Sequence, residues 1–132
     1  IAANLNGDGV GVYVGTSSDV LMYNNIIVSQ TVGITNTAPA GSVVSATHTL
    51  FEANGQDYGP GVTSADEVSG PAALLSDYHL SDSSNAINHA VPLSWVTRDI
   101  DGDPRPIGPA PDVGADEYVR ARIYLPLVLR NF

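Results

Sequence analysis

Asp99, Asp101 and Asp103 alternate around Gly102 in the run Arg98-Asp-Ile-Asp-Gly-Asp-Pro-Arg105. Carboxylates at this spacing on a tight turn converge on one point and suit a hard cation such as calcium, which is held by oxygen ligands. The run departs from an EF-hand loop, which places glycine sixth and glutamate twelfth. Here Gly102 stands fourth from Asp99, and a Gly- and Pro-rich stretch follows. Two expectations therefore stand side by side. One is a calcium loop formed by Asp99, Asp101 and Asp103. The other is an Asx-rich turn with Arg98 and Arg105 neutralising the acids.

Arg105, Asp112, Asp116 and Glu117 form a second candidate cluster. A guanidinium offers a planar fork that matches carboxylate geometry. The cluster can serve as a salt-bridged structural clasp or as part of a ligand site. The clasp, holding the end of the chain against what precedes it, is the expectation.

The remaining candidates carry weaker signals. His48, His79 and His89 lack metal-ligand spacing and read as packed or surface histidines. Ser45 and Thr47 lie near His48, but no Gly-x-Ser-x-Gly elbow is present. Gly7, Gly9 and Gly11 lack the lysine of a phosphate loop. Trp95 and Tyr78 are of a type that stacks on sugars; isolated aromatics in an end segment are expected to anchor a core instead. Among residues 1–58 the acids are Asp8, Asp19, Glu52 and Asp57, with no Arg or Lys beside them. No catalytic constellation emerges, and the chain is not expected to be an enzyme.

The elements that must position these residues show an internal repeat. Val10–Val14 matches Val32–Asn36 at a spacing of 22, and Asn25–Ser29 matches Thr49–Ala53 at a spacing of 24. A period in this range marks a solenoid coil. Each copy holds short β-branched runs broken by Gly, Asn, Ser and Thr, as in a rung of short strands joined by tight turns. Alternation predicts Val10, Val12 and Val14 as one inward set and Ile26 with Val28 as another, subject to a phase slip of one residue. Asn24 and Asn25 fall where such a coil turns, and Asn tolerates the left-handed conformation of a sharp corner. From Val62 to Pro92 the periodicity fades, and Gly70–Leu80 has room for one helical turn.

The run Asp112-Val-Gly-Ala-Asp-Glu-Tyr118 resembles the end segment of bacterial surface proteins of the right-handed parallel β-helix, or pectin-lyase-like, family, in the form that carries a choice-of-anchor end piece. Tyr78–His89 resembles the irregular segment that covers the last coil in that family. It departs from that pattern at Asn85, where proline is usual, and at Asn88-His89, where Asp-Ala is usual. The resemblance implies an all-β fold: a short right-handed parallel β-helix (solenoid) with an irregular C-terminal cap and a terminal strand. The implied divisions are β-helix rungs over 1–58, a capping segment over 59–118, and a hydrophobic, sorting-like tail over 119–132. Pectate-lyase-type enzymes share the fold but need calcium-binding acids and a basic residue along one coil face, and residues 1–58 offer no such line.

In the tail, Ile123, Leu125, Leu127 and Leu129 line one face of an extended strand, and Tyr124, Pro126 and Val128 line the other. Pro126 has no N–H, which places such a strand at an edge or between chains. The tail can cap its own solenoid, complete a neighbour by strand addition, or act as a sorting signal.

Composition bounds the rest. The 132 residues suffice for one domain. There is no cysteine, hence no disulfide framework. There is no lysine, and the net charge is −9, which argues against nucleic acid and anionic membrane surfaces. No apolar run approaches the roughly 20 residues of a membrane span. The start at Ile1 suits a mature secreted or processed piece. The function expected is that of an extracellular or cell-surface structural protein, self-associating head to tail into a homopolymeric fibre through solenoid ends and the tail. The alternative is the C-terminal part of a polysaccharide-binding or polysaccharide-cleaving β-helix protein, with a glycan as partner. No cofactor is expected beyond the calcium considered for the Asp99–Asp103 turn.

Overall fold

The computed structural model describes residues 9–15, 18–38 and 40–120. The tail positions Ile123, Tyr124, Leu125, Leu127, Val128 and Leu129 lie outside the described residues. Within them the chain is all-β. Eight strands form: β1 (Val10–Val14), β2 (Val20–Tyr23), β3 (Ile26–Val28), β4 (Val32–Asn36), β5 (Val44–Thr47), β6 (Leu50–Glu52), β7 (Gln56–Tyr58) and β8 (Val62–Ala65). Among the described residues no helix is long and apolar enough to cross a membrane. The stretch Gly70–Leu80, where sequence left room for a helical turn, holds a turn closed by the Tyr78 amide donating to the Leu75 carbonyl at 3.0 Å.

Every third strand pairs, and every strand pairing is parallel. The sheets run β1-β4-β7, β2-β5-β8 and β3-β6. The register follows the repeat in the sequence: Val10 stands beside Val32 and Ile26 beside Leu50. Strand β8 lies beyond residue 58, where the repeat ceases to be legible; Val44 stands beside Val62. The turns between strands stack as well. Asn24, His48 and Asp66 take φ values of 56°, 50° and 51°, and Ser29 and Ala53 take 57° and 54°. These single left-handed residues turn the chain sharply between short strands. Asn24 is suited to that conformation. It has His48 beside it, so asparagine does not stack on asparagine at this corner.

Two apolar clusters share strand β3. Val14, Ile27, Ile34, Val44 and Ala46 form one, with Val12, Val20, Met22, Phe51 and Val62 against it. All three sheets contribute, so this cluster is the core between them. Ile26, Val28 and Leu50 face the other way and pack on Ala72, Leu80, Ala86, Ala90 and Val113. The inward residue of β3 is thus Ile27, fully buried at 0% exposure. The phase expected for Ile26 and Val28 is corrected by one residue. Both faces of β3 are apolar because both are covered: one by the neighbouring sheets and one by the irregular segment that follows β8. Val10, expected inward with Val12 and Val14, is instead 43% exposed at the start of β1, while Val12 and Val14 turn inward.

Close approach explains two glycines in the repeat. A Cβ on Gly11 would lie 2.6 Å from the Gly33 carbonyl oxygen of the neighbouring strand. Gly33 in turn would run into the carbonyl of Asp57. The Val-Gly-Val and Val-Gly-Ile motifs of β1 and β4 therefore keep glycine where the stacked backbones crowd.

Candidate functional site

The irregular segment is fixed to the sheets by polar contacts that its sequence supplies in a few places. Asn24 Nδ2 donates to the Val91 carbonyl at 2.8 Å, and the Val91 amide donates back to Asn24 Oδ1 at 2.9 Å. The Gly114 amide donates to the Asn24 carbonyl at 2.9 Å. Glu52, at the end of β6, accepts the Ala72 amide at 3.0 Å.

Arg105 and Glu117 form the centre of the segment. Their Nε–Oε1 distance is 2.9 Å, and the side chains are 6% and 1% exposed. Glu117 Oε1 also accepts the Asp112 amide at 2.8 Å, and Oε2 accepts the Ile107 amide at 2.9 Å. The guanidinium donates further to the Gly114 carbonyl at 2.9 Å and to the Asp112 carbonyl. Burial of an ion pair is tolerable only when its remaining hydrogen-bonding capacity is met, and here backbone groups meet it.

Asp112 and Asp116 sit nearby but do other work. Asp112 accepts the Asn88 amide at 2.7 Å on one oxygen and the Tyr118 amide at 2.6 Å on the other. Burial pushes its carboxyl above the usual carboxylate range, opposed by these two amides. Asp116 Oδ2 accepts the Leu80 amide at 2.8 Å, and burial raises this carboxyl as well. Of the three acids grouped with Arg105 in the sequence, Glu117 is the one that pairs with it. The other two tie separate stretches of backbone into the same region.

In the Asp99–Asp103 turn, Asp99 Oδ1 accepts the amides of Asp101 at 2.9 Å and Asp103 at 2.7 Å. Its Oδ2 accepts the Glu117 amide at 3.2 Å. Arg98 donates to the Gly102 carbonyl at 2.6 Å, and Arg105 points inward to Glu117. The three carboxylates offer oxygens within 4.8 Å of one another. Asp99 is nonetheless occupied on both oxygens by backbone, as in an Asx-rich turn.

The structure also assembles a cluster that sequence spacing missed. His79 Nε2 lies 3.0 Å from Asp101 Oδ2 and 4.0 Å from Asp116 Oδ1, while Nδ1 lies 3.2 Å from Asp77 Oδ1. Asp77, with Asp101 next, holds the imidazole above its usual titration range, and His79 holds the Asp77 carboxyl below its own. The cluster lines an open cleft with Leu75 and Tyr118. Asp77 and His79 are two residues apart, but Asp101 and Asp116 come from distant stretches of chain, so no local spacing announces the full cluster. His48 and His89 do not join it. His89 Nδ1 lies 2.7 Å from the Ile87 carbonyl oxygen, and His48 occupies a turn between strands.

Trp95 and Tyr78 do not anchor a core: they are 75% and 56% exposed. Comparison with known proteins returned no matching family model, no matching curated protein and no matching solved structure.

Proposed function

We propose that the chain is a structural module of an extracellular or cell-surface protein. It is a short right-handed parallel β-helix whose third face is covered by an irregular C-terminal cap, and it acts without catalysis. The observation that carries this reading is the stack of parallel strands, each paired with the strand three places further along the chain. Such a stack extends by adding further rungs. Among the described residues, β1, β2 and β3 each pair on one side. Strand edges of this kind accept another β-segment readily. The alternating apolar tail around Ile123–Leu129 is a segment of the right chemistry to supply one, and a head-to-tail contact that does not close on itself builds a fibre. The polar contacts of Arg105, Asp112 and Glu117 are made between Arg105 and Glu117 and to backbone, which suits a clasp. Sedimentation velocity over a range of concentrations tests self-association: the reading expects species that grow with concentration and lose that growth when the chain ends at Tyr118.

A second reading, polysaccharide binding, is favoured by the exposure of Trp95. An exposed indole offers a flat apolar face to a sugar ring. Trp95 is the single tryptophan of the chain, so its fluorescence reports on this site alone. A saturable change on titration with soluble polysaccharides supports glycan binding. A flat response leaves the structural role.

A further inference from the structure

We propose that His79, Asp101 and Asp116 hold a first-row divalent transition cation of the zinc type, with Asp77 beside the second ring nitrogen. The three side chains each offer a ligand atom, and these atoms lie within 4.8 Å of one another. A second observation points into the same place. Asp116 is 4% exposed, and its Oδ1 is buried without a hydrogen-bond partner. Its other oxygen is fixed by the Leu80 amide at 2.8 Å, which leaves Oδ1 aimed toward His79 at 4.0 Å from Nε2. A buried acceptor with nothing to accept is unfavourable, and native structures seldom leave one without a reason. A cation between Nε2 and the two carboxylates supplies that missing partner.

The ligand chemistry selects the class of ion. One imidazole nitrogen with carboxylate oxygens suits zinc and its neighbours, whereas calcium takes a larger shell made of oxygen. Ligating histidines commonly donate their second ring N–H to a carboxylate, which fixes the tautomer and the ring. Asp77 Oδ1 lies 3.2 Å from Nδ1, an ion-pair distance without the alignment of a hydrogen bond, and is the carboxylate beside that second nitrogen. The open cleft gives solvent access to the cluster for the remaining coordination. The site differs from the Asp99–Asp103 turn, with which it shares Asp101, because Asp99 is committed to backbone amides. A cation here joins the turn at Asp77–Leu80 to the segment that carries Asp101 and Asp116. It thereby cross-links the cap, and cation supply then controls how firmly the cap is held.

The test uses the full chain stripped with EDTA and titrated calorimetrically with zinc, alongside His79→Gln, Asp116→Asn and Asp103→Asn. One ion per chain is expected for the unaltered protein and for Asp103→Asn, with at least a tenfold loss of affinity in His79→Gln and Asp116→Asn. Thermal unfolding in EDTA checks that the variants fold. Imidazole nitrogen NMR of the unaltered protein provides a readout that needs no variant: zinc should move His79 Nε2 and leave His48 and His89 in place. Absence of stoichiometric binding overturns the proposal. So does binding that survives in His79→Gln but vanishes in Asp103→Asn, or an NMR response confined to His48 or His89.

Discussion

Asn24 and Val91 exchange two hydrogen bonds across 67 positions of sequence, Nδ2 to carbonyl and amide to Oδ1. One side chain at the corner between β2 and β3 thus holds the backbone of the irregular segment after β8 in the manner of a strand partner. The same residue takes φ 56°, a conformation that asparagine tolerates better than most residues. Asn24→Ala removes both bonds and strains the corner, and should destabilise the protein by about 2–4 kcal/mol. Asn24→Gly relieves the backbone and loses only the bonds, so it should fall below Asn24→Ala in cost. Urea unfolding of the three proteins measures the order; equal stabilities would remove Asn24 from the account.

The Arg105–Glu117 pair makes a sharper prediction. Glu117 serves one guanidinium and two backbone amides from a site with 1% side-chain exposure. Glu117→Ala leaves a buried guanidinium without its counter-charge, and losses of about 3–5 kcal/mol follow from breaking such pairs. Arg105→Lys keeps the charge but cannot reach Glu117, Gly114 and Asp112 with one planar fork. It should therefore cost a substantial part of the same amount. Thermal unfolding decides, and a loss within about 0.5 kcal/mol for either variant, the range of ordinary surface substitutions, would contradict the clasp.

The strand repeat was legible in sequence because register leaves a periodic trace. Val10 with Val32, and Ile26 with Leu50, are neighbours in space at the spacings read along the chain. The phase of β3 was not legible. Ile26, Ile27 and Val28 are all apolar because the strand is covered on both sides, and a strand buried on both faces has no alternation to read. The candidate site was legible in part. Arg105 and Glu117 lie close in sequence and meet, while Asp112 and Asp116 turn to backbone amides that no local pattern marks. Asp101 and Asp116 are brought to His79 by tertiary folding alone, as Val91 is to Asn24. Exposure of Trp95 likewise depends on where an irregular segment lies on the sheets, which composition does not specify.

Asp112 carries a pH signature. Burial raises its carboxyl above the ordinary value of 3.8, so the folded chain holds this proton more tightly than the unfolded chain. The group's contribution to stability is fully present below pH 3.8 and declines as pH rises through the raised folded value. Asp112→Asn removes the titration and retains one acceptor for the amides of Asn88 and Tyr118. The stability advantage of the unaltered protein over Asp112→Asn should thus be greatest at acid pH and shrink as pH rises. Urea unfolding at a series of pH values checks the slope, and an advantage that grows with pH would reverse the sign argued here.

The interior between the sheets predicts a contrast within β2 and β3. Ile27 is 0% exposed and Leu21 is 62% exposed. Ile27→Ala should cost about 2–5 kcal/mol, as expected for a large-to-small change in a packed core. Leu21→Ser should stay within about 0.5 kcal/mol of the unaltered protein. Comparable losses at both positions would show that the inward phase is wrong.

Electron microscopy of the purified full chain beside a chain ending at Tyr118 tests the proposed assembly role most directly. The account predicts filaments from the full chain that disappear on truncation, with the tail as connector between stacked rungs. Discrete single particles from both chains would contradict the assembly role.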